Sequence, residues 1–365
     1  MKKIARIILT PILVIILGAG GFLGWLTAVE YRPAPVEPAE RGAPVDSTSL
    51  QPVQVDQPLT VLSWNIGYSG LGQYSDFFMD GGKNTRSADE KQVRAYLDGI
   101  SASIRENSAD LVLLQEVDKN SARTYGIDER VQLRDDMDCE AFALNYSCPF
   151  VPNPNTLLID SLGKINSGLY TMTNDLLIDK AERIALPCPF SWPLRIANLK
   201  RCLLVSYLPV EDSDRQLVLV NLHLEAYDDG EGKIAQTNQL RDFIENEYAK
   251  GNYVIAGGDF NQVFPGSLEQ YPNTHAENWE PGVLDEKLLP EGWTLAYDLT
   301  VPTCRLLNQP YDPSDTVGTQ HYVIDGLILS PNVELKSVET LDKGFENSDH
   351  NPVKVQVVLN SDLHN

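Results

Sequence analysis

The sequence has few cysteines and few histidines, which limits the kinds of metal site it can build. Five of each occur in 365 residues, and no two cysteines have the C-x-x-C spacing typical of a structural zinc site. Cys139 with Cys148, and Cys188 with Cys202, are short-loop pairings that an oxidising exterior would permit, and the odd count leaves one thiol over. The sequence therefore argues against structural zinc and leaves the disulfide connectivity open.

The sequence also lacks a basic stripe. Beyond the first 29 residues it carries 26 basic against 51 acidic residues, a formal charge of −25. Nucleic-acid binders draw much of their affinity from neutralising phosphates with lysine and arginine. A nucleic-acid substrate is therefore disfavoured by charge, although a weak, metal-assisted nuclease stays open.

One long apolar run lies near the amino terminus. It extends from Ile7 to Val29 and follows Lys2, Lys3 and Arg6, and at about 1.5 Å per residue it can cross a hydrocarbon core of roughly 30 Å. We predict that 1–29 is a signal anchor, a single transmembrane helix in the cell membrane with its amino terminus inside. The alternative is a signal peptide cleaved near Ala28, and either way the remaining chain lies outside the cytoplasm.

The rest of the chain divides into a linker and one large domain. Residues 30–58 are rich in proline, glutamate and alanine without an apolar period, so we predict a flexible linker. Apolar runs of strand length alternate with a few longer helical patterns over 59–361, and no internal repeat is evident. This pattern predicts a monomer with a single α+β catalytic domain.

Polar residues close several of the predicted strands. Asn65, Glu116 and His223 each follow an apolar run, Asp259 and Asn261 follow another, and Asp349 and His350 precede the last strand. A polar residue at the end of one strand is usually only a turn former. Because strand ends gather at one rim of a sheet, this many endings together predict a binding site.

The residue types suit one reaction. Oxygen ligands from Glu, Asp and Asn favour Mg²⁺ or Mn²⁺, and no cluster of His and Cys favours zinc. Phosphoester hydrolysis needs a cation on the phosphoryl oxygens, an oriented water and stabilisation of the leaving oxygen. These residues can supply all three requirements.

Six motifs, in order, resemble those of the endonuclease/exonuclease/phosphatase superfamily. They are Ser63-Trp64-Asn65-Ile66, Leu114-Gln115-Glu116-Val117, Asn221-Leu222-His223-Leu224, Gly257-Gly258-Asp259-Phe260-Asn261, Tyr322-Val323-Ile324-Asp325 and Ser348-Asp349-His350-Asn351-Pro352. The resemblance implies a four-layer α/β sandwich in which two packed mixed β-sheets are flanked by helices. It places the site at one rim of those sheets.

The resemblance also implies roles for individual residues. It makes Glu116 the principal metal ligand, with Asn65 and Asp349 nearby. It makes Asp259 the group that activates water, supported by the remaining catalytic residues: Asn261 on the phosphate, His350 held cationic by Asp325 to stabilise the transition state, and His223 as an acid or phosphate contact. Arg201 is a further substrate-binding candidate, whose alternative is an ordinary solvated Lys-Arg pair; Arg123 and Tyr125 are not assigned to the site.

Three substrate types remain open: nucleic acid, a phospholipid headgroup and a small soluble phosphoester. The rival from another class is an inactive surface protein that keeps the fold for binding. Competent residues at Glu116, Asp259 and His350 favour the enzyme. We therefore predict a phosphoester hydrolase with an unspecified phosphodiester or phosphomonoester substrate.

Overall fold

The computed structural model describes residues 2–43, 50–134, 137–153, 156–228, 230–275, 277–315 and 317–361. Its α-helices are α1 (Lys2–Ala28), α2 (Glu90–Asn107), α3 (Glu129–Leu133), α4 (Glu231–Ala249) and α5 (Ser267–Gln270). Short 3-10 helices lie at Gly67–Ser69, Phe78–Asp80, Leu194–Ala197 and Glu286–Leu288. Its strands are β1 (Val36–Pro38), β2 (Pro58–Asn65), β3 (Leu111–Asp118), β4 (Cys139–Asn153), β5 (Leu157–Thr173), β6 (Lys180–Ala185), β7 (Cys202–Pro209), β8 (Gln216–His223), β9 (Tyr253–Asp259), β10 (Gln262–Val263), β11 (Gly282–Val283), β12 (Thr294–Ala296), β13 (Cys304–Arg305), β14 (His321–Tyr322), β15 (Asp325–Leu329), β16 (Val333–Thr340) and β17 (Val353–Leu359).

Two mixed sheets form the centre of the fold. Sheet A has the order β1-β6-β7-β8-β9-β15-β12, and sheet B has the order β16-β17-β2-β3-β5-β4. Each contains one parallel pair, β8 with β9 in sheet A and β2 with β3 in sheet B. A helix connects the two strands of each pair, α4 in sheet A and α2 in sheet B, so each sheet is built around one β-α-β unit.

Three apolar clusters hold the layers together. Side chains such as Val61, Leu113 and Leu219 fill the space between the sheets. Ile100 of α2 packs on the outer face of sheet B, and Leu240 of α4 packs on the outer face of sheet A. Successive strand side chains point to opposite faces, so strands buried on both faces read as continuous apolar runs. The predicted four-layer sandwich is confirmed.

The predicted linker over 30–58 is wrong for much of its length. β1 pairs antiparallel with β6 at the edge of sheet A, and Glu40 bridges to Phe142. Val53 bridges to Val210 and is fully buried. The physical reason is that an exposed sheet edge offers unpaired backbone groups, which short extended segments satisfy even when proline-rich.

The first domain helix begins two residues later than its sequence suggests. Ser87 with Glu90 has the spacing of a capping box, but the structure caps α2 with Asp89, whose side chain accepts from the Gln92 backbone amide at 2.8 Å. The Ser87 hydroxyl bonds to Asp76 instead. Two overlapping capping patterns compete here, and tertiary contact with Asp76 decides between them.

The amino-terminal helix α1 and the five cysteines bear on two further predictions, the membrane anchor and the disulfides. Within the described residues one helical segment, Leu9–Ala28, is long and apolar enough to cross a membrane, with mean hydropathy 2.0 and 6% of it buried. A signal sequence has the same length and composition. All five cysteines are free thiols, so neither short-loop pairing forms.

Candidate active site

The two β-α-β units bring four predicted residues to one edge. Asn65 ends β2 and His223 ends β8, while Glu116 lies near the end of β3 and Asp259 ends β9. The carboxyl ends of parallel strands lie at the same side of a sheet. Because the sheets pack face to face, the two sets meet, and Asn65 Nδ2 donates to Asp259 Oδ2 across the sheets at 2.9 Å.

A buried amide pair joins the two sheets directly behind this edge. Gln115 Nε2 donates to Asn221 Oδ1 at 2.9 Å, and Asn221 Nδ2 donates to the Leu114 carbonyl at 3.0 Å and the Tyr170 carbonyl at 3.1 Å. Both side chains are fully buried. A polar residue inside an otherwise apolar strand was the sequence signal for this pair, and sequence reasoning overlooked it.

His350 lies between two carboxylates. Its Nδ1 is 2.8 Å from Asp325 Oδ2, and its Nε2 is 3.8 Å from Asp259 Oδ2. Burial opposes a charge on the imidazole, but the Asp325 carboxylate and Cys304 together outweigh it, so the pKa of His350 lies well above its ordinary value. Near neutral pH this histidine is therefore a cation facing Asp259.

Asp259 is held by several donors but is not strongly acidic. Its Oδ1 accepts from the Asn261 backbone amide at 2.8 Å, and His223 Nε2 is 3.4 Å from its Oδ2. Burial and the nearby Asp325 carboxylate raise the pKa of Asp259 to about 7, although His350 opposes the shift. Burial therefore outweighs the effect of the cationic histidine on this carboxyl group.

His223 is neutral rather than cationic. Burial, the Arg201 guanidinium and charged His350 lower its pKa well below the ordinary value. Its Nδ1 is buried without a partner among the described residues. His223 is thus suited to contacting an oxygen of a ligand, and it carries no positive charge to deliver as an imidazolium acid.

Arg201 belongs to the site and is not part of a solvated surface pair. It is 3% exposed and lines the same cavity as His223. Its guanidinium bonds to Glu225 Oε2 at 3.2 Å and to the His223 carbonyl at 3.1 Å. Glu225 was not predicted, and it fixes the guanidinium beside the histidine.

The predicted metal ligands form the other half of the edge. A β-bulge between Leu114 and Val117 leaves Glu116 unpaired with β5, and its backbone adopts φ 57°, a left-handed conformation that is strained for glutamate. The bulge sends the Glu116 carboxylate into the cavity, where Asp349 also lies. Asn65 Nδ2 is 3.5 Å from Glu116 Oε1.

These residues fit a hard divalent cation. Burial raises the pKa of Asp349 to about 6, and the like charge of Glu116 contributes to the shift. Two carboxylates that repel each other in one cavity are a favourable pair of ligands for Mg²⁺ or Mn²⁺. The Asn65 amide can add a carbonyl oxygen by reversing its orientation.

Asp259, Asp325 and His350 form a second group whose ligand atoms lie within 4.8 Å of one another. Here the protonation of His350 argues against a metal. A histidine binds a metal through a neutral ring nitrogen, whereas Asp325 favours the charged imidazolium. The Glu116 side of the edge stays the predicted position of the cation.

One cavity of about 420 Å³ connects these groups. Of the nine predicted site residues it contacts eight, and Asp325 lies behind His350. Arg123 also lines it but pairs with Asp118 at 2.9 Å, whereas Tyr125 is 44% exposed and does not line it. We call the polar end of the cavity the charged floor, formed by Asn65, Glu116, His223, Asp259, Asp349 and His350.

Two features of this cavity had no sequence signal. Asp80 Oδ1 accepts from the Tyr227 hydroxyl at 3.1 Å beside the charged floor, and burial together with Asp349 raises the pKa of Asp80 to about 7. The cavity is also lined by six apolar side chains that we call the apolar wall: Phe77, Val151, Leu162, Phe190, Leu194 and Leu199. The site is therefore strongly amphipathic.

Two mixed sheets with flanking helices and a charged site at their shared edge define a two-sheet α+β sandwich. Residues 62–350 match the model of the Endonuclease/Exonuclease/phosphatase family. The chain belongs to that family. As a member it is a hydrolase, and enzymes of this family generally use divalent metal ions.

Solved structures share the fold at low sequence identity. An endonuclease/exonuclease/phosphatase from Beutenbergia cavernae DSM 12333 is 17% identical with a TM-score of 0.55, over 83% of this chain and 72% of that one. ANGEL2, a 2',3'-cyclic phosphatase solved with adenosine-2',3'-vanadate, is 15% identical with a TM-score of 0.51, over 83% and 96%. Such likeness establishes the fold alone. None of the curated proteins compared with the chain matches it.

Proposed function

We propose that this chain is a membrane-anchored phosphoesterase that uses Mg²⁺ or Mn²⁺ and acts outside the cytoplasm. The observation that carries the proposal is the charged floor. Its Asp259 carboxylate lies 3.8 Å from the cationic His350, and Glu116 and Asp349, the proposed cation ligands, line the same cavity. A base, a positive charge and a cation site facing one cavity suit hydrolysis of a phosphate ester.

The residues divide the reaction between them. Asp259 accepts a proton from a water molecule as the water oxygen forms a bond to phosphorus, and the bond from phosphorus to the leaving oxygen breaks. The leaving oxygen then takes up a proton, so the products are a phosphate and an alcohol. His350 stabilises the charge that develops on the phosphoryl oxygens, and Asp325 orients its ring.

The other residues bind and position the substrate. Asn261 Nδ2 donates to the Leu224 carbonyl at 2.8 Å, which fixes the Asn261 side chain beside the attacking group. His223 and Arg201 offer N–H donors to phosphate oxygens. Glu116, Asn65 and Asp349 would hold a divalent cation, which when bound would neutralise charge on the phosphate and the leaving oxygen.

Hydrolysis of bis-p-nitrophenyl phosphate by the purified chain tests the proposal. We expect turnover with Mg²⁺ or Mn²⁺, loss of turnover with EDTA, and a fall of at least about 100-fold for His350→Ala. His275→Ala is the matched control, because His275 lies outside the cavity. Turnover that survives EDTA, or a His350→Ala variant with the unaltered rate, would show the mechanism to be wrong; metal binding without turnover would favour an inactive binding protein.

A further inference from the structure

The apolar wall of the cavity has no part in the chemistry proposed above. Its six side chains come from three separate segments, around Phe77, along β4 and β5, and from Phe190 to Leu199. Apolar surface that faces a hydrolytic site gains free energy only when it is covered by apolar groups of a ligand. The wall therefore points to a substrate with a hydrocarbon part.

The same wall lies beside the end of α1. Trp192 Nε1 donates to Thr27 Oγ1 at 3.1 Å, and Arg195 pairs with Glu30 at 2.8 Å. The Phe22 ring also contacts the Phe150 ring, edge to face, with 5.6 Å between centroids. Phe150 precedes Val151, and Trp192 and Arg195 flank Leu194, so the contacts of α1 are interleaved with the residues of the wall.

Large apolar side chains around these contacts face outward. Trp192 is 52% exposed, Leu194 is 65% exposed and Trp25 is 48% exposed. Tryptophan is enriched at membrane-water interfaces, where one part of its ring is apolar and the other is wet. An exposed cluster of this kind next to a membrane-spanning helix lies at the level of the lipid headgroups.

Resting on the proposed function, we propose that the substrate is a phospholipid of the bilayer that holds α1. Its phosphate binds at the charged floor, while its hydrocarbon lies along the apolar wall and enters past Leu194. A small polar ester or a nucleic-acid backbone offers no hydrocarbon to cover the apolar wall. Neither substrate would gain from the proximity of the apolar wall to α1. The reaction is the same hydrolysis, with water adding to phosphorus and one phosphorus-oxygen bond breaking.

Two synthetic phosphodiesters with one leaving group test this inference. Ethyl and octyl p-nitrophenyl phosphate are compared on the full chain in phosphatidylcholine nanodiscs with Mg²⁺, and the readout is the ratio of their kcat/KM values. Burial of as few as two methylene groups gives about a tenfold preference. We therefore expect the octyl ester to be favoured by about tenfold or more.

Leu194→Asp should lower that ratio by about tenfold, because a carboxylate at the entrance repels the chain. Val131→Asp is the matched control: Val131 is 74% exposed on α3, outside the cavity, and its variant should keep the original ratio. Because both esters are measured on one preparation of each variant, any loss of folded protein lowers both kcat/KM values equally and leaves their ratio unchanged.

The outcomes separate the two proposals. If both esters are hydrolysed with metal but the ratio is near one, or if Leu194→Asp leaves it unchanged, the phospholipid inference is overturned and the phosphoesterase stands. If single-stranded DNA is cleaved faster than the octyl ester, the substrate is a nucleic acid instead. If neither ester is hydrolysed with Mg²⁺ or Mn²⁺, the proposed function fails and the inference falls with it.

Discussion

The two β-α-β units have the same topology but contribute different chemistry. The unit of sheet B, β2-α2-β3, ends in Asn65 and Glu116, which offer oxygen ligands to a cation. The unit of sheet A, β8-α4-β9, ends in His223 and Asp259, which we propose contact the phosphate and accept a proton. The comparison teaches that one architectural device, repeated without visible sequence repetition, can supply the metal half and the base half of a site.

The largest effect should come from breaking the sheet A half alone. Asp259→Asn removes the proton acceptor, so we expect kcat on bis-p-nitrophenyl phosphate to fall by about 1,000-fold. The half-saturating Mg²⁺ concentration should stay within about twofold, since Asp259 is not among the proposed ligands Glu116, Asn65 and Asp349. Asp242→Asn on exposed α4 is the control; a large shift in Mg²⁺ dependence for Asp259→Asn would contradict the division of labour.

The sheet B half should respond differently. Glu116→Gln keeps the shape but removes a ligand charge, so the half-saturating Mg²⁺ concentration should rise by about tenfold or more. A Mg²⁺ titration of the initial rate measures it, with Glu90→Gln on exposed α2 as the control. An unchanged Mg²⁺ titration with a lowered maximum rate would place Glu116 among the proton-transfer groups.

The hydrogen-bonded pair Gln115 and Asn221, which connects the two sheets, should contribute to the stability of the fold. Asn221→Leu removes the acceptor of one Gln115 N–H and the donor to the Leu114 and Tyr170 carbonyls, and we expect a loss of about 3 kcal/mol in the free energy of unfolding. Urea denaturation measures it, and the exposed Asn246→Ala should change stability by less than about 0.5 kcal/mol. The double variant Asn221→Leu with Gln115→Leu should lose less free energy of unfolding than the sum of the two single variants. Additive losses would mean that the two side chains do not stabilise each other.

The smallest effect concerns the helix of the sheet B unit. Asp89→Ala removes the side-chain cap of α2 and should lower the free energy of unfolding by about 1 kcal/mol. Asp89→Ser, which can still accept from the Gln92 amide, should recover most of the loss. A loss of activity beyond the loss of folded protein would contradict a purely local role for this cap.

Sequence reasoning reached the fold and the polar residues because both depend on local signals. Strands such as β3 and β9 are buried on both faces, so they read as apolar runs, and their polar endings are visible. The six motifs then implied the four layers and the roles. The motifs also paired residues that are distant in the sequence. His350 and Asp325 are 25 positions apart, and their side chains lie 2.8 Å from each other in the structure.

What the sequence could not supply depends on contacts between distant segments. The pKa of Asp259 is set by its burial and by Asp325, which the chain order does not reveal. For Arg201 the sequence left open a choice between substrate binding and a solvated Lys-Arg pair, because the contacts with Glu225 and the His223 carbonyl that bury it come from another part of the chain. The segment near Val53 looked like a linker because the backbone groups it bonds to, at Pro209 and Glu211 beyond the point where β6 pairs with β7, come into position only in the assembled sheet.

The amide pair Gln115 and Asn221 has a further consequence, because it is uncharged. Every other group at the shared edge changes its interactions when a proton moves or a cation arrives, whereas an amide pair keeps the same hydrogen bond at any pH and ionic strength. The hydrogen bond between Gln115 and Asn221 therefore holds the two sheets at one spacing, whatever the protonation state of the groups around it. Asp259 can therefore gain and lose a proton without a change in the spacing between the two sheets.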